Sequence, residues 1–271
     1  MINIYQQKKN KGEVSNKEMI QVKGLTKIFK DRKRGKVVAV NNLEFNCEKG
    51  QIFGLLGPNG AGKTTTLRIL ATIMLPTEGK ALVNGYDVVK QANKVRKQIG
   101  FLSSETGLYD RLTPRETVRF FGRINKMKDK IIEKRMAEIF HKLDMEDFQD
   151  VRVHKLSTGM KQKLSIARCI IHDPPILILD EPTVGLDIIT AHIVTEYVKS
   201  FREQGKCIIY STHIMQEAEK LCDTIGIIHQ GNLITQGTLE ELKNHSSSND
   251  LEEIFFKLIA DGRTTDELEK Y

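Results

Sequence analysis

One octapeptide restricts the folds open to this chain more than any other feature: GPNGAGKT, residues 57–64. It matches the phosphate-binding pattern G-x-x-x-x-G-K-[ST]. It also stands between an apolar run, QIFGLL, and a stretch of helical composition, KTTTLRILATIM. A strand that leads through a glycine loop into a helix is the context this pattern needs. Glycines let successive backbone N–H groups turn toward an anion, and the helix start adds its own partial positive charge. On this pattern Gly57, Pro58, Asn59, Gly60, Ala61, Gly62 and Thr65 line a nucleotide's phosphates. Lys63 reaches the β- and γ-phosphates and Thr64 ligates Mg²⁺. The geometry calls for a parallel sheet with helices on it, the α/β class.

Two later segments fit the same sheet. ILILDEP (176–182) is an apolar strand that delivers Asp180 and Glu181 to its carboxyl end, where open α/β sheets bind ligands. Asp180 suits the Mg²⁺ shell, and Glu181 suits a base that orients the attacking water. CIIYSTH (207–213) ends another apolar strand at the same edge. His213 there is either a structural imidazole or a sensor of the γ-phosphate. A third segment, HKLSTGMKQKLSIARCI (154–170), reads as an amphipathic helix, with Leu164, Ala167 and the following Ile171 on one face. Ser157 stands at its capping position. Ser157 and Gly159 at a helix start also make a seat for an anion, so the sequence raises the question of which anion, and on which molecule.

Around these motifs, residues 19–56 read as strands, with the basic KDRKRGK (30–36) as an exposed hairpin loop. The helix after Lys63 is expected to stop at Pro76. Residues 104–155 shift to helical composition. Thr113, Pro114 and Glu116 form a capping box with proline at the first helical position. Ile132, Met136, Ile139 and Leu143 mark one face of a second helix. Residues 1–18 read as a loose, disordered tail, NHSSSND (244–250) as a linker, and LEEIFFKLI (251–259) as a short helix that folds back on the core. An uninterrupted apolar run of about 18 residues, as a membrane span needs, is not found. The net charge of +7 admits nucleic acid, anionic lipid or nucleotide as partners, but the aromatics are not interleaved with Lys or Arg as a base-stacking platform needs. Cys47, Cys169, Cys207 and Cys222 lie far apart without metal-ligand spacing, which fits a reducing compartment.

The glycine loop, LSTGM, ILILDEP, GLD (185–187) and STH, in this order and spacing, resemble the nucleotide-binding subunit of ABC transporters over residues 19–242. The resemblance implies a P-loop NTPase core with an antiparallel β subdomain and an inserted all-helical subdomain at about 104–160, followed by 243–271 as linker and C-terminal helix. It implies ATP and Mg²⁺ as cofactors and a second ATPase subunit, as a homodimer, so that Ser157 and Gly159 hold the γ-phosphate of ATP bound to the partner. Asp187 matches the loop acid that communicates across that dimer. Phe29 takes the place of the aromatic residue on which adenine stacks, with Val40 packing on the same ring.

Two positions depart from the family pattern. Thr158 and Met160 replace the common Gly and Gln, which adds bulk where close backbone approach is wanted. Ser104 stands where the family has a Gln near the metal and the water; Ser is too short for that reach, so either a water bridges the gap or Glu105 takes part. The surrounding loop, Ser104 to Thr113, is where the family receives the coupling helix of an integral membrane permease. Within the family, ETGLYDRLT, LSTGMKQK and STHIMQEAEKLCD look like the NatA type, ATPases of sodium-extruding exporters. The resemblance thus implies a motor on the cytoplasmic side of the cell membrane that energises Na⁺ efflux, with export of a drug or lipid as the alternative. A soluble ATPase acting on nucleic acid or ribosomes is disfavoured, because Gly62 and Leu156 lie under about 100 residues apart with no coiled-coil or zinc-binding insert. A non-catalytic nucleotide sensor is disfavoured by the presence of Lys63, Asp180, Glu181 and His213 together.

Overall fold

The computed structural model describes residues 18–31, 35–103, 107–246, 248 and 250–260. Residues 1–17 of the expected tail, Ser104 and Glu105 therefore lie outside the described residues, as do 32–34 of the hairpin loop; Glu18, expected in the tail, instead begins the first strand, paired with Glu48.

The chain opens with two long antiparallel strands, β1 (Glu18–Asp31) and β2 (Gly35–Glu48). β3 (Ile52–Leu56) leads through the glycine loop into α1 (Lys63–Leu70). β4 (Glu78–Val83), β5 (Tyr86–Asp87), α2 (Ala92–Arg96) and β6 (Ile99–Leu102) follow. Then come three helices: α3 (Pro114–Ile124), α4 (Asp129–Lys142) and α5 (Thr158–Ile170). The chain continues with β7 (Ile176–Asp180), α6 (Ile188–Glu203), β8 (Cys207–Thr212), α7 (Met215–Leu221), β9 (Thr224–His229) and β10 (Asn232–Gly237). α8 (Leu239–Ser246) and α9 (Leu251–Ala260) close it.

Two sheets result. One is antiparallel in the order β2-β1-β4-β5; the other, β10-β9-β3-β8-β7-β6, is parallel from β9 to β6 with β10 antiparallel at its edge. The uninterrupted apolar runs are explained by burial on both faces. In β7, Leu177 and Leu179 join the core under the helical insert, while Ile176 and Ile178 join the core shared with the antiparallel sheet. Alternate residues of β8 divide the same way. Each such fully buried Leu or Ile contributes roughly 1.5–3 kcal/mol. This burial fixes the strand register, and the register places the ends of β3, β6, β7 and β8 on one edge.

The helical insert has the expected caps. The Thr113 hydroxyl accepts from the Glu116 amide while Glu116 accepts from the Thr113 amide. Ile132, Met136, Ile139 and Leu143 are all buried. α9 lays Leu251, Ile254, Phe255 and Ile259 against Leu56, Ile225 and Ile227, so the terminal helix does fold back on the core.

Three local expectations need correction. α1 stops at Leu70, well before Pro76, because Thr72 turns left-handed (φ 63°) and the Thr72 and Ile73 amides bond back to Ile69 and Arg68. The stretch 244–250 is not all linker: α8 runs to Ser246, and Ser248 is buried, donating to Glu253. Val40 does not lie beside Phe29. The β1–β2 register sets Val37 opposite Phe29 and Val40 opposite Lys27, and Val40 is wholly buried in the core, where it packs and does not face a ligand.

Candidate nucleotide site

The glycine loop is shaped by what surrounds it. A Cβ at Gly57 would lie 2.2 Å from the carbonyl oxygen of Ile228, so only glycine lets the loop leave β3 against β9. Gly62 has φ 106°, and a Cβ there would lie 2.4 Å from the Ala39 carbonyl oxygen. The loop closes on itself through Ala61 N–H to Pro58 O, and Ala61 O accepts from the Gly231 amide at 2.9 Å. Ala61 thus serves the loop's shape. Gly62 caps α1 without any side-chain hydrogen bond, and no acid stands in the first turn. The opening N–H groups of α1 have no intrahelical carbonyl to meet, which leaves a cradle suited to phosphate oxygens. Thr64 and Thr65 are half-buried at its rim, while Pro58, Asn59 and Gly60 line its outer side.

Lys63 is buried at 4 % exposure. Its Nζ donates to Gly57 O at 2.6 Å and Pro58 O at 3.1 Å, and pairs with Glu181 Oε1 at 3.2 Å. Glu181 also meets His213 Nδ1 at 3.1 Å through the same oxygen. Its backbone is left-handed (φ 48°), and its amide is held by the carbonyl and hydroxyl of Ser211. Burial pushes the Glu181 carboxyl up, but the hydrogen bond from His213 and the charge of Lys63 outweigh it and hold the group below the usual carboxylate range. Lys63, Glu181 and His213 therefore form one cluster, drawn from the start of α1 and from just beyond the ends of β7 and β8.

Asp180 is buried beside them. Its Oδ1 accepts from the Ser211 hydroxyl at 2.6 Å, while its Oδ2 is buried with no hydrogen-bond partner among the described residues. An orphaned carboxylate oxygen at this depth is costly unless a cation or donor meets it. That fits a bound cation such as Mg²⁺.

A second group lies on the helical side. Ser157 caps α5, accepting from the Met160 amide at 3.3 Å. Ser157 and Thr158 are exposed. Gly159 faces α6: a Cβ there would lie 3.3 Å from the Thr190 side chain. Asp187 caps α6, accepting from the Ile189 and Thr190 amides and from the Thr190 hydroxyl at 2.7 Å. The Thr190 amide and hydroxyl, with the Ile189 amide, hold the Asp187 carboxyl below its ordinary range. The two groups are linked by Gln162, whose Nε2 donates to Pro182 O at 2.6 Å. Among the described residues, no hydrogen bond or ion pair joins 157–160 to 57–65. Phe29 is 37 % exposed, with the Lys27 ammonium 5.2 Å from its ring centre.

Sequence reasoning missed several residues that the fold makes important. Ser211 holds both acids. Glu217 accepts hydroxyl hydrogen bonds from three residues around the cluster. Arg168, 7 % exposed, donates to Gly107 O and stacks on Phe121 with no carboxylate partner among the described residues. Only a three-dimensional meeting of distant segments reveals these roles. Tyr109 stacks edge-on against Phe120 at 6.0 Å, and with Asp110, Arg111 and Leu112 they line a cleft of about 360 Å³ on the same loop.

Comparison with known proteins gives a consistent picture. The family model described as "ABC transporter" matches residues 40–184. The chain is 41 % identical to the ABC transporter ATP-binding protein NatA of Bacillus subtilis, over 90 % of this chain and 99 % of the relative. It is 37 % identical to the Nod factor export ATP-binding protein I of Ralstonia nicotianae, over 89 % of this chain and 74 % of that protein. A dimeric bacterial ABC transporter cassette superimposes with a TM-score of 0.75 at 27 % identity, covering 81 % of this chain and 98 % of the cassette. The same cassette is known in a post-hydrolysis state bound to ADP and Pi.

Proposed function

This chain belongs to the ABC transporter family as an ATP-binding subunit with ATPase activity, and from that premise we propose that it works as a paired motor driving a separate membrane permease that exports Na⁺. The observation that carries the pairing is the division of the site. The phosphate seat, the acid and the histidine are assembled within one chain, whereas Ser157 is exposed at the start of α5 and shares no hydrogen bond or ion pair with them among the described residues. A second copy would bring its Ser157 and Gly159 against the γ-phosphate seated on Lys63, giving a homodimer with two shared nucleotides. The dimeric assembly of a 27 % identical cassette supports this reading.

In the chemistry proposed, Glu181 takes a proton from water as its oxygen bonds to the γ-phosphorus, and the bond to the bridging oxygen of ADP breaks. His213 donates to a γ-phosphate oxygen, and Lys63 offsets the charge that builds there. Asp180 and Thr64 would hold Mg²⁺, which when bound neutralises part of the phosphate charge; Ser104 remains a candidate for the same shell. Without nucleotide, Lys63 and His213 both hold Glu181 and make it a weak base. Once Lys63 turns to the phosphates, part of that pull is released and the carboxylate becomes a better proton acceptor. Phe29, with Val37 beside it on the ladder, is the candidate adenine platform.

The permease would dock on the loop Ser104 to Thr113, where the Tyr109–Phe120 cleft offers an apolar seat. Among the described residues no helix is long and apolar enough to cross a membrane, which agrees with a partner that supplies the span. The subunit would then sit on the cytoplasmic side of the membrane, with no nucleic acid involved. Sodium is favoured as cargo by the likeness to NatA across nearly the full length of both chains. Export of another substrate, a drug or lipid, is the second reading, because ATP-binding proteins of Nod factor export and of linearmycin resistance are each 37 % identical. The deciding experiment co-expresses the chain with its permease and follows ATP-driven ²²Na⁺ movement in inside-out vesicles. Uptake that vanishes with Glu181→Gln is expected; ATP turnover without Na⁺ movement would transfer the assignment to another cargo.

A further inference from the structure

Glu217 stands on α7, the helix that follows His213. Its half-buried carboxylate accepts three hydroxyl hydrogen bonds at once: Oε1 from Thr183, and Oε2 from Thr212 at 2.9 Å and Tyr210 at 3.1 Å. An ionised carboxylate has enough lone pairs for three donors; an amide offers a single oxygen. The donors come from the two segments that carry the reacting side chains. Thr183 is two residues beyond Glu181. Thr212 immediately precedes His213, and its Oγ1 also accepts from the Ile214 amide at 3.0 Å, which fixes the turn bearing the imidazole. Tyr210 lies two residues earlier on the same strand, next to Ser211, whose carbonyl and hydroxyl hold the Glu181 amide. Thr183, Tyr210 and Thr212 are all buried, so each needs an acceptor inside the protein.

We propose that Glu217 is a positioning residue for ATP hydrolysis, a single acceptor that holds the Glu181 loop and the His213 turn in one register. It acts through Thr183 and Thr212. This role rests on the reading of Glu181 as the base and His213 as its phosphate-side partner. Without Glu217 the three hydroxyls must seek other acceptors, and the 3.1 Å approach of His213 to Glu181 loses its frame. A shift of about 1 Å in such a pair costs on the order of 100-fold in rate. Among the described residues no hydrogen bond joins Glu217 to the phosphate seat at 57–65; the link between them is the backbone bond from Gly57 N–H to Thr212 O at 3.3 Å, which needs no side chain, so nucleotide affinity is spared.

The test uses the full chain and the variants Glu217→Ala, Glu217→Gln and Tyr210→Phe, with turnover, ATP affinity by calorimetry and thermal melting measured on each. Glu217→Ala is expected to lose kcat by roughly 10- to 100-fold while the Kd for ATP stays within about threefold, the split that marks an interaction used in the transition state. Glu217→Gln should lose less, and adding Tyr210→Phe to it should cost less than Tyr210→Phe alone, because the two share one network. Should Glu217→Ala fail to fold, the Gln and Phe variants carry the decision. Parental kcat in folded Glu217→Gln and Tyr210→Phe, or a Kd that rises in step with falling kcat, overturns the role. Glu181→Gln is run alongside. If it remains active, the base reading fails and takes this role with it. If it is inactive while the Glu217 variants run at parental rate, only the positioning role fails.

Discussion

The two anion seats of this protein are built in opposite ways. At residues 57–65 the backbone is confined at both ends of the loop: Ile228 presses on Gly57 and Ala39 on Gly62, and a buried lysine is tied to loop carbonyls and to Glu181. At residues 157–160 the helix start is exposed, held by one serine cap and a contact between Gly159 and Thr190. The first seat is complete within the chain, so its geometry is a folding problem. Under the proposed pairing the second is half of a site, and its geometry matters only when a partner's nucleotide is brought to it. On that reading one finished seat and one open half-seat let association switch the chain.

The contrast predicts unequal penalties for the same chemical change. Gly57→Ala places a methyl group 2.2 Å from a backbone oxygen that cannot swing away. Overpacking of this kind costs typically 1–3 kcal/mol or more and here also shuts the phosphate cradle. Calorimetry should find no ATP binding by the variant, and melting should show lost stability. Gly159→Ala meets only the Thr190 side chain at 3.3 Å, a contact relieved by a shift of a few tenths of an ångström, in ordinary backbone conformation. Its melting temperature and its ATP affinity as a monomer should stay near parental. The loss should surface in the ATP-induced dimer, measured by light scattering in a Glu181→Gln background. Equal damage to monomer binding from both substitutions would remove the distinction between the seats.

Ser157→Ala sharpens the same contrast at smaller scale. Loss of a serine cap costs about 1 kcal/mol of stability. If Ser157 also meets the partner's nucleotide, dimer formation should weaken by more than the cap explains, by about tenfold, equivalent to a further 1.4 kcal/mol. An unchanged dimer affinity would leave Ser157 with capping alone.

How much of this could be read in the sequence follows the same division. The glycine loop and the two acids at the end of β7 were legible because their spacing is dictated locally: a strand, a turn, a helix, and side chains at fixed positions along them. Thr113 and Glu116 were legible for the same reason, since a capping box lies within four consecutive residues. What was hidden depends on contacts between distant segments. That α1 ends at Thr72 follows from a left-handed turn, and a threonine is an unusual residue to carry one. The family resemblance places Val40 on the ring, but bulges in the β1–β2 ladder set it opposite Lys27 and turn it into the core. Glu217 resembles any helical surface acid until Thr183, Tyr210 and Thr212 are seen around it. Arg168 lies in a helix that reads as merely amphipathic, yet it joins α5 to Gly107 and to Phe121 of α3.

The smallest expected effect concerns pH, and it separates the seats by electrostatics instead of sterics. In the nucleotide-free chain the Glu181 carboxyl lies below its ordinary value despite the opposing effect of burial, because His213 and Lys63 stabilise the charged form. A carboxyl depressed on folding adds stability that is fully present above its unfolded value, about 4.3, and is lost as pH falls through the lower folded value. The parent should therefore lead Glu181→Gln in melting temperature at pH 7 by a margin that shrinks in acid, once the carboxylate takes up its proton. Ser157→Ala removes a hydroxyl that does not titrate, so its deficit against the parent should stay level over the same range. A flat Glu181→Gln margin would mean that Lys63 and His213 do not hold the carboxylate in solution as they do in the structure. The restraint on the base would then have to come from somewhere other than the lysine that also seats the phosphate.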